Sequence, residues 1–368
     1  MISILLFLSI FGLAESSINC YYTIGKPDIS ELPGKCDSYI LIGSTRINNE
    51  TGIFEANKEE VEKFSQLKQL QPNKKLLITI LSSNPSFTKM SSNASSILKF
   101  SSDTLDFLIY YNLDGIDIDW EFPVWSSDAN QDDRIYFRNL LEVLYDKYHN
   151  KGKLISVAVS GPPTITKIAY DVQALAKKYR KFIIFSVRYA DMVQVMNYDF
   201  HVFSRKSNPL VGFNAPLHPL RFEFSLLAKM NSESSMNTWF SLGLPRNITY
   251  FGIPTYCRAF RLLSKYFFKP YSPAVSAIDE FTDYESVCYL TEKNSNYRKV
   301  WNTRAASPYL YGSDRLWISY ENPESIRQKV TFAKTLGVAG IMVFSVGNDD
   351  FHGKCGQGKY PLINSIDF

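Results

Sequence analysis

The chain has 368 residues, 45% of them hydrophobic and 21% charged, ample for a buried core and within reach of one large α/β domain. A formal charge of +4 without a Lys/Arg run argues against nucleic acid as a partner. The 15% aromatic content suits sugar binding and a large core equally, so composition decides neither.

The opening "MISILLFLSIFGLAESS" is a short apolar run followed by small and polar residues. It is too short to span a bilayer, and although Lys and Arg are missing before it, residues 1–17 read as a secretory signal peptide. No later stretch is apolar for long enough to span, so a secreted protein with no membrane partner is expected. Sequons at Asn49, Asn93 and Asn247 agree with secretion. The five cysteines (Cys20, Cys36, Cys257, Cys288 and Cys355) contain no CxxC pair, and an oxidising compartment favours two bridges and one free thiol.

From there β-rich runs alternate with amphipathic ones. Strands are predicted near 19–23, 38–42, 75–81, 115–121, 154–161, 192–198, 250–254 and 340–345. Between them "NKEEVEKFSQLKQL" puts Val61, Phe64, Leu67 and Leu70 on one helical face. "DDRIYFRNLLEVLYDKYH" does so with Ile135, Leu140, Leu141 and Leu144 behind Asp132 and Asp133, and "PESIRQKVTFAKTLG" starts near Pro323 and stops at Gly337. Strands alternating with helices in this number predict an α/β fold, a (β/α)8 TIM barrel over residues 18–368. The Tyr- and Phe-rich interval 258–312 is too long for one helix and reads as a small α+β insertion between the seventh and eighth strands.

The fourth strand carries the chemistry. In "LDGIDIDWEFP", residues 113–123, alternate residues share a face and repeat at about 6.6 Å. Asp117, Asp119 and Glu121 therefore line one side, and Ile116, Ile118 and Trp120 the other. Active sites of such barrels lie at the C-terminal strand ends, where Glu121 falls. Crowded carboxylates cannot all ionise cheaply, so Glu121 is expected to titrate high because Asp119 and Asp117 are near and the pocket is partly apolar, as a general acid must. A solvated acidic strand fails to explain the interleaved Ile and Trp. A hard-cation site lacks calcium-loop spacing. There is no Gly-x-Ser-x-Gly elbow, and His149, His201, His218 and His352 show no zinc spacing. "GKCGQGKY" at 353–360 nearly mimics a phosphate loop, but Tyr360 stands where Ser or Thr belongs, so it reads as a plain loop. No metal and no cofactor are expected.

"DGIDIDWE" resembles the DGxDxDxE signature of family-18 glycoside hydrolases, the chitinases and chitinase-like proteins. "QVMNYDFH" at 194–201 is similar to the family's sixth-strand MxYD motif, and "FGIPTYCRAF" at 251–260 to its seventh-strand GxPTYGRxF segment. "AGIMVFSVGNDDFHGKCGQGKYPLI" at 339–363 is similar to its eighth strand and C-terminal end, so the likeness runs from about Asn19 to Phe368.

The resemblance implies a retaining, substrate-assisted hydrolase of β-1,4-linked N-acetylglucosamine chains, a family without a protein nucleophile. It makes Glu121 the acid/base and Asp119 the group that orients the substrate's acetamido N–H. Asp117 would share the proton load of Asp119, with Asp114 a structural turn residue. It implies that Tyr198 donates to the acetamido oxygen and that Asp199 and Tyr256 fix the sugar. Tyr21 and Met196 line the pocket or simply fill the barrel, and Phe344 forms its floor. The resemblance also implies bridges Cys20–Cys36 and Cys288–Cys355, leaving Cys257 free.

Departures from the pattern concern sugar platforms: Phe344 replaces a Trp, Gly43 stands where the second strand ends in an aromatic, and Ile80, Leu81 and Ser82 replace a GGW-like end. Each lost platform forfeits about 1 kcal/mol or more of apolar contact. The expected partners are chitin or its oligosaccharides, bound by a monomer. A chitinase-like lectin using the same groove without turnover and an endoglycosidase acting on N-glycans stay open as rivals, although lectin-type relatives usually lose the position of Glu121.

Overall fold

The computed structural model describes residues 17–176, 178–179, 186–187, 189–293 and 295–368. Apart from Ser17, the expected signal peptide lies outside the described residues. Eight parallel strands close a barrel: Ser17–Tyr22, Ser38–Leu41, Lys75–Leu81, Gly115–Asp119, Leu154–Ser160, Met192–Met196, Thr249–Pro254 and Gly340–Phe344. Each pairs with its neighbours in that order, and the last pairs with the first. The expected (β/α)8 barrel is the observed fold.

The period-2 alternation of the strands separates two apolar shells. Ile116, Ile118 and Trp120 join Val157, Val159, Val193, Val195, Ile341 and Val343 in the layer under the helices. Tyr21, Ile40, Leu77, Ala158, Met196 and Met342 fill the barrel interior. Trp120 is fully buried, stacks on Phe87 at 4.7 Å and donates its indole N–H to Asn84 Oδ1 at 2.8 Å. Truncating such a ring costs about 3–5 kcal/mol. At the top of the fifth strand Gly161 is required by close approach, since a Cβ there would lie 2.1 Å from the carbonyl oxygen of Met196.

Helix predictions need two corrections. Val61, Phe64 and Leu67 are buried, but the helix Lys58–Ser65 ends before Gln66 and a separate turn, Leu67–Leu70, leaves Leu70 exposed. Ile135 is also exposed, because it sits in the first turn of Asp133–Tyr148, where the residue facing the core is Asp133. That carboxylate is satisfied by the Thr88 hydroxyl at 2.7 Å and the Asn130 N–H at 2.7 Å. The helix Pro323–Leu336 keeps its predicted ends, with an Asn322/Ser325 capping box and Gly337 at φ 66°.

Between the seventh and eighth barrel strands a five-stranded antiparallel sheet is built from Arg258–Leu262, Ala274–Ile278, Tyr297–Asn302, Ser307–Gly312 and Leu316–Ser319, with the helix Tyr284–Lys293 beside it. Its last strand runs past Gly312, because Leu316–Ser319 pairs with both Arg258–Leu262 and Ser307–Gly312. Disulfides join Cys20 to Cys36 and Cys288 to Cys355, and Cys257 is free and buried. The 353–360 segment is a loop.

Candidate active site

The fourth strand ends at Asp119, two residues before Glu121, so the predicted strand is too long by its last turn. The three carboxylates consequently occupy different depths. Asp117 is fully buried inside the barrel, where its Oδ2 accepts from the Tyr21 hydroxyl at 2.8 Å and the Thr79 hydroxyl at 3.1 Å. Asp119 is buried above it, and its Oδ1 has no hydrogen-bond partner. Glu121 opens to the cleft. Its backbone carbonyl is fixed by Asn84 Nδ2 at 3.1 Å and the Ser126 hydroxyl at 3.3 Å, and Asn84 itself is held by Trp120 and by Asp128 at 2.8 Å. Asp114 stays at the other end of the strand, accepting from the Leu76 N–H at 2.6 Å and pairing with Lys68.

A cleft of about 320 Å³ lies over these groups, lined by Asp119 and Glu121 together with Tyr21, Met196, Tyr198, Asp199, Tyr256 and Phe344. Of the predicted site residues only Asp117 stays out of it, beneath the floor. Tyr21 and Met196 both line the cleft and belong to the packed interior, so the two readings of them coincide. The Phe344 ring is half-buried and lies 5.4 Å from Tyr21, 5.9 Å from Tyr198 and 6.1 Å from Tyr256. Among the described residues the Tyr198 hydroxyl finds only the Met342 sulfur, at 3.7 Å, which leaves a strong donor underused.

One wall depends on the inserted sheet. Asp199 takes a left-handed backbone, φ 57°, stabilised by its N–H donating to Asn214 Oδ1 at 3.0 Å. Asn214 is anchored in turn by the Ser319 hydroxyl at 2.9 Å. The Asp199 carboxylate accepts from the Tyr256 hydroxyl at 2.7 Å and from Arg258 Nε and Nη2 at 2.8 and 2.6 Å. Arg258, Asn214 and Asn84, and Asn348, which also lines the cleft, were not among the predicted site residues. Arg258 had a signal: in extended chain it shares a face with Tyr256.

The electrostatics follow from burial. Asp117 is pushed up to about 6 by burial, against hydrogen bonds from Ser156, Tyr21 and Thr79 that pull it down. Asp119 is raised well above an ordinary Asp by burial first, then by the charges of Glu121 and Asp117. Glu121 is raised to about 7 by burial and then by Asp199. Its carboxyl has solvent on the cleft side and protein on the others, and the surrounding protein sets the shift. The expected apolar surroundings are thus the leading cause; of the expected carboxylate repulsion, the charge that follows burial at Glu121 is that of Asp199, while Asp119 and Glu121 repel one another. Burial first, and neighbouring charges after it, hold the Tyr21, Tyr198 and Tyr256 hydroxyls protonated. The floor thus offers a protonated carboxyl near neutral pH, an open carboxyl acceptor and a phenol donor around one small cavity.

The family model Glycosyl hydrolases family 18 matches residues 17–349, and the chain belongs to that family. Its fold is that of family-18 chitinases and chitinase-like proteins. Mouse (Mus musculus) chitotriosidase-1 is 27% identical over 91% of this chain and 72% of its own length. Human (Homo sapiens) chitinase-3-like protein 2 is 27% identical over 94% of this chain and 90% of its own. The Group IV chitinase of Ostrinia furnacalis, solved alone and in complex with allosamidin, superposes with a TM-score of 0.85 at 27% identity, covering 96% of this chain and 98% of that one.

Proposed function

We propose that this protein is a secreted glycoside hydrolase that cleaves β-1,4-linked N-acetylglucosamine chains with retention, using Glu121 as its only acid/base. The observation that carries the reading is Glu121 at the cleft mouth, raised to about 7 and so available as a proton donor at neutral pH.

The substrate's acetamido oxygen attacks the anomeric carbon while Glu121 gives its proton to the departing glycosidic oxygen, leaving an oxazolinium ring. The Glu121 carboxylate then takes a proton from water as that water opens the ring. Asp119 supplies the acceptor for the acetamido N–H through its unpartnered Oδ1, and Asp117 beneath it shares the proton load. Tyr198 donates to the acetamido oxygen, and Asp199 with Tyr256 holds the sugar. Phe344 is the ring on which its apolar face rests. The signal peptide, glycosylation at the sequons and a monomeric state belong to the same proposal.

A chitinase-like binding protein without turnover is the second reading, favoured by Phe344 in place of a Trp floor. Incubating the protein with chitin oligomers and, separately, with an N-glycosylated protein distinguishes the readings. Shortened oligomers support hydrolysis. Oligomers bound but intact across acid and neutral pH overturn it, and release of N-glycans alone moves the substrate to glycoproteins.

A further inference from the structure

Two surface segments outside the cleft, 220–229 and 263–271, carry bulky apolar side chains that nothing covers among the described residues. Phe224 is 76% exposed, Tyr266 76% and Phe267 65%, with Phe222, Leu226 and Leu263 exposed beside them in sequence. The segments are tied to each other: the Phe222 and Tyr271 rings lie 5.7 Å apart, and the Tyr271 hydroxyl donates to Glu223 Oε1 at 2.5 Å. The second segment is anchored from below, where Phe268 stacks on Tyr311 at 4.0 Å and its carbonyl accepts from the Trp317 indole at 2.9 Å.

Charge tells what such a surface meets. Arg221, Lys229, Lys265 and Lys269 are exposed in these segments, with no acidic partner among the described residues. Lys265 instead lies over the Tyr266 ring, 5.3 Å from its centroid. Glu223 is the one carboxylate within the two segments, and it is half-buried, its oxygens taken by Tyr271 and by the Leu220 N–H at 2.9 Å. Uncovered apolar side chains interspersed in sequence with unpaired cations fit a surface with an anionic face over an apolar interior. A neutral polysaccharide gains nothing from the cations, and aliphatic Leu226 and Leu263 offer no flat ring to a sugar.

We propose that this face docks peripherally on an anionic phospholipid bilayer, Phe224 and Phe267 entering the headgroup boundary and the four cations meeting lipid charge. Among the described residues no helix is long and apolar enough to cross a membrane, which concerns insertion only and leaves such adsorption open. Tyr271 also lies 5.4 Å from His201, two residues beyond Asp199, so docking would place the cleft beside the membrane.

The test is cosedimentation with phosphatidylcholine vesicles, with and without phosphatidylserine. The protein should pellet with the mixed vesicles, stay free with pure phosphatidylcholine and be released by added salt. Phe224→Ser with Phe267→Ser, and separately Lys265→Glu with Lys269→Glu, should each weaken vesicle binding by about tenfold or more. Neither pair should change oligosaccharide binding, which also reports that the variants are folded. Equal binding to both vesicle types, or unchanged binding by both variants, overturns the proposal. So does finding that the substitutions abolish chitin-bead adsorption or self-association while vesicle binding stays as it was.

Discussion

At the end of the fourth barrel strand the protein holds the acidic residues in place: the Asp117 carboxylate by Tyr21 and Thr79, and the Glu121 backbone carbonyl by Asn84 and Ser126. Past the ends of the second and third strands stand Gly43 and Ser82, neither of which lines the cleft, and the eighth strand ends in one phenyl ring that does, Phe344. On the proposed function, proton transfer depends on the first region and the grip on a polymer on the second. Under that proposal chemistry and affinity separate in this protein, with the acid held by its strand and the sugar contact resting on few rings.

Removing the acid should have the largest effect. Glu121→Gln keeps shape and hydrogen bonding but loses the transferable proton, so turnover of chitin oligomers should fall by about 10²–10⁴ while their dissociation constant changes little. An equal loss in both would place Glu121 in ground-state binding instead. Asp119→Asn should lower turnover by about 10², because the neutral amide orients the acetamido group poorly and stabilises less charge; steady-state rates on one oligomer length check this.

The pH profile sharpens the same region. Glu121 must be protonated to act, and burial raises it to about 7, so turnover should fall roughly tenfold per pH unit above that value. A rate flat into alkaline solution would remove Glu121 as the acid. Stability should follow the same sign. Asp117, Asp119, Glu121 and Asp349 all have raised folded-state values, so the native state binds more protons than the unfolded chain between about pH 4 and 7. Their contribution is full below the unfolded values and is lost as pH rises through the folded ones. Asp133, Glu223 and Glu321, also raised, reinforce this. His201, lowered by burial, and, toward pH 4, the lowered carboxylates Asp28, Glu55, Glu285 and Glu324 oppose it as pH falls. Melting temperature should therefore be higher, by roughly a few degrees, near pH 5.5 than near pH 7.5.

The rim predicts the smallest change. Phe344→Trp should tighten oligomer binding and raise kcat/KM together, each by roughly fivefold and with kcat little changed, from about 1 kcal/mol of added ring contact. Tighter binding with kcat/KM unchanged would mean that the platform acts only in the ground state.

The barrel was legible because strand alternation is a local signal; Ile116, Ile118 and Trp120 face the helices as their spacing requires. The acid cluster was legible for the same reason, helped by a motif carried on a single strand. What escaped depends on distant partners. Asn214 matters because Ser319, far along the chain, holds it under Asp199, and no pattern within "GFNAP" records that. Leu70 and Ile135 were placed inward by helical spacing, but the chain breaks at Gln66 and a buried, satisfied Asp133 takes the inward position. The second cause of the Glu121 shift, the Asp199 charge after burial, was hidden too, since Asp199 follows the sixth barrel strand and a sequence gives no distance between them.

The most direct test of the central claim, one carboxyl acid with the substrate as its own nucleophile, is the anomeric form of the first product. Chitin oligomer hydrolysis followed by proton NMR at early times should show the β anomer forming before mutarotation. An initial α anomer would contradict the account, because inversion needs a second carboxylate to activate water on the opposite face of the sugar.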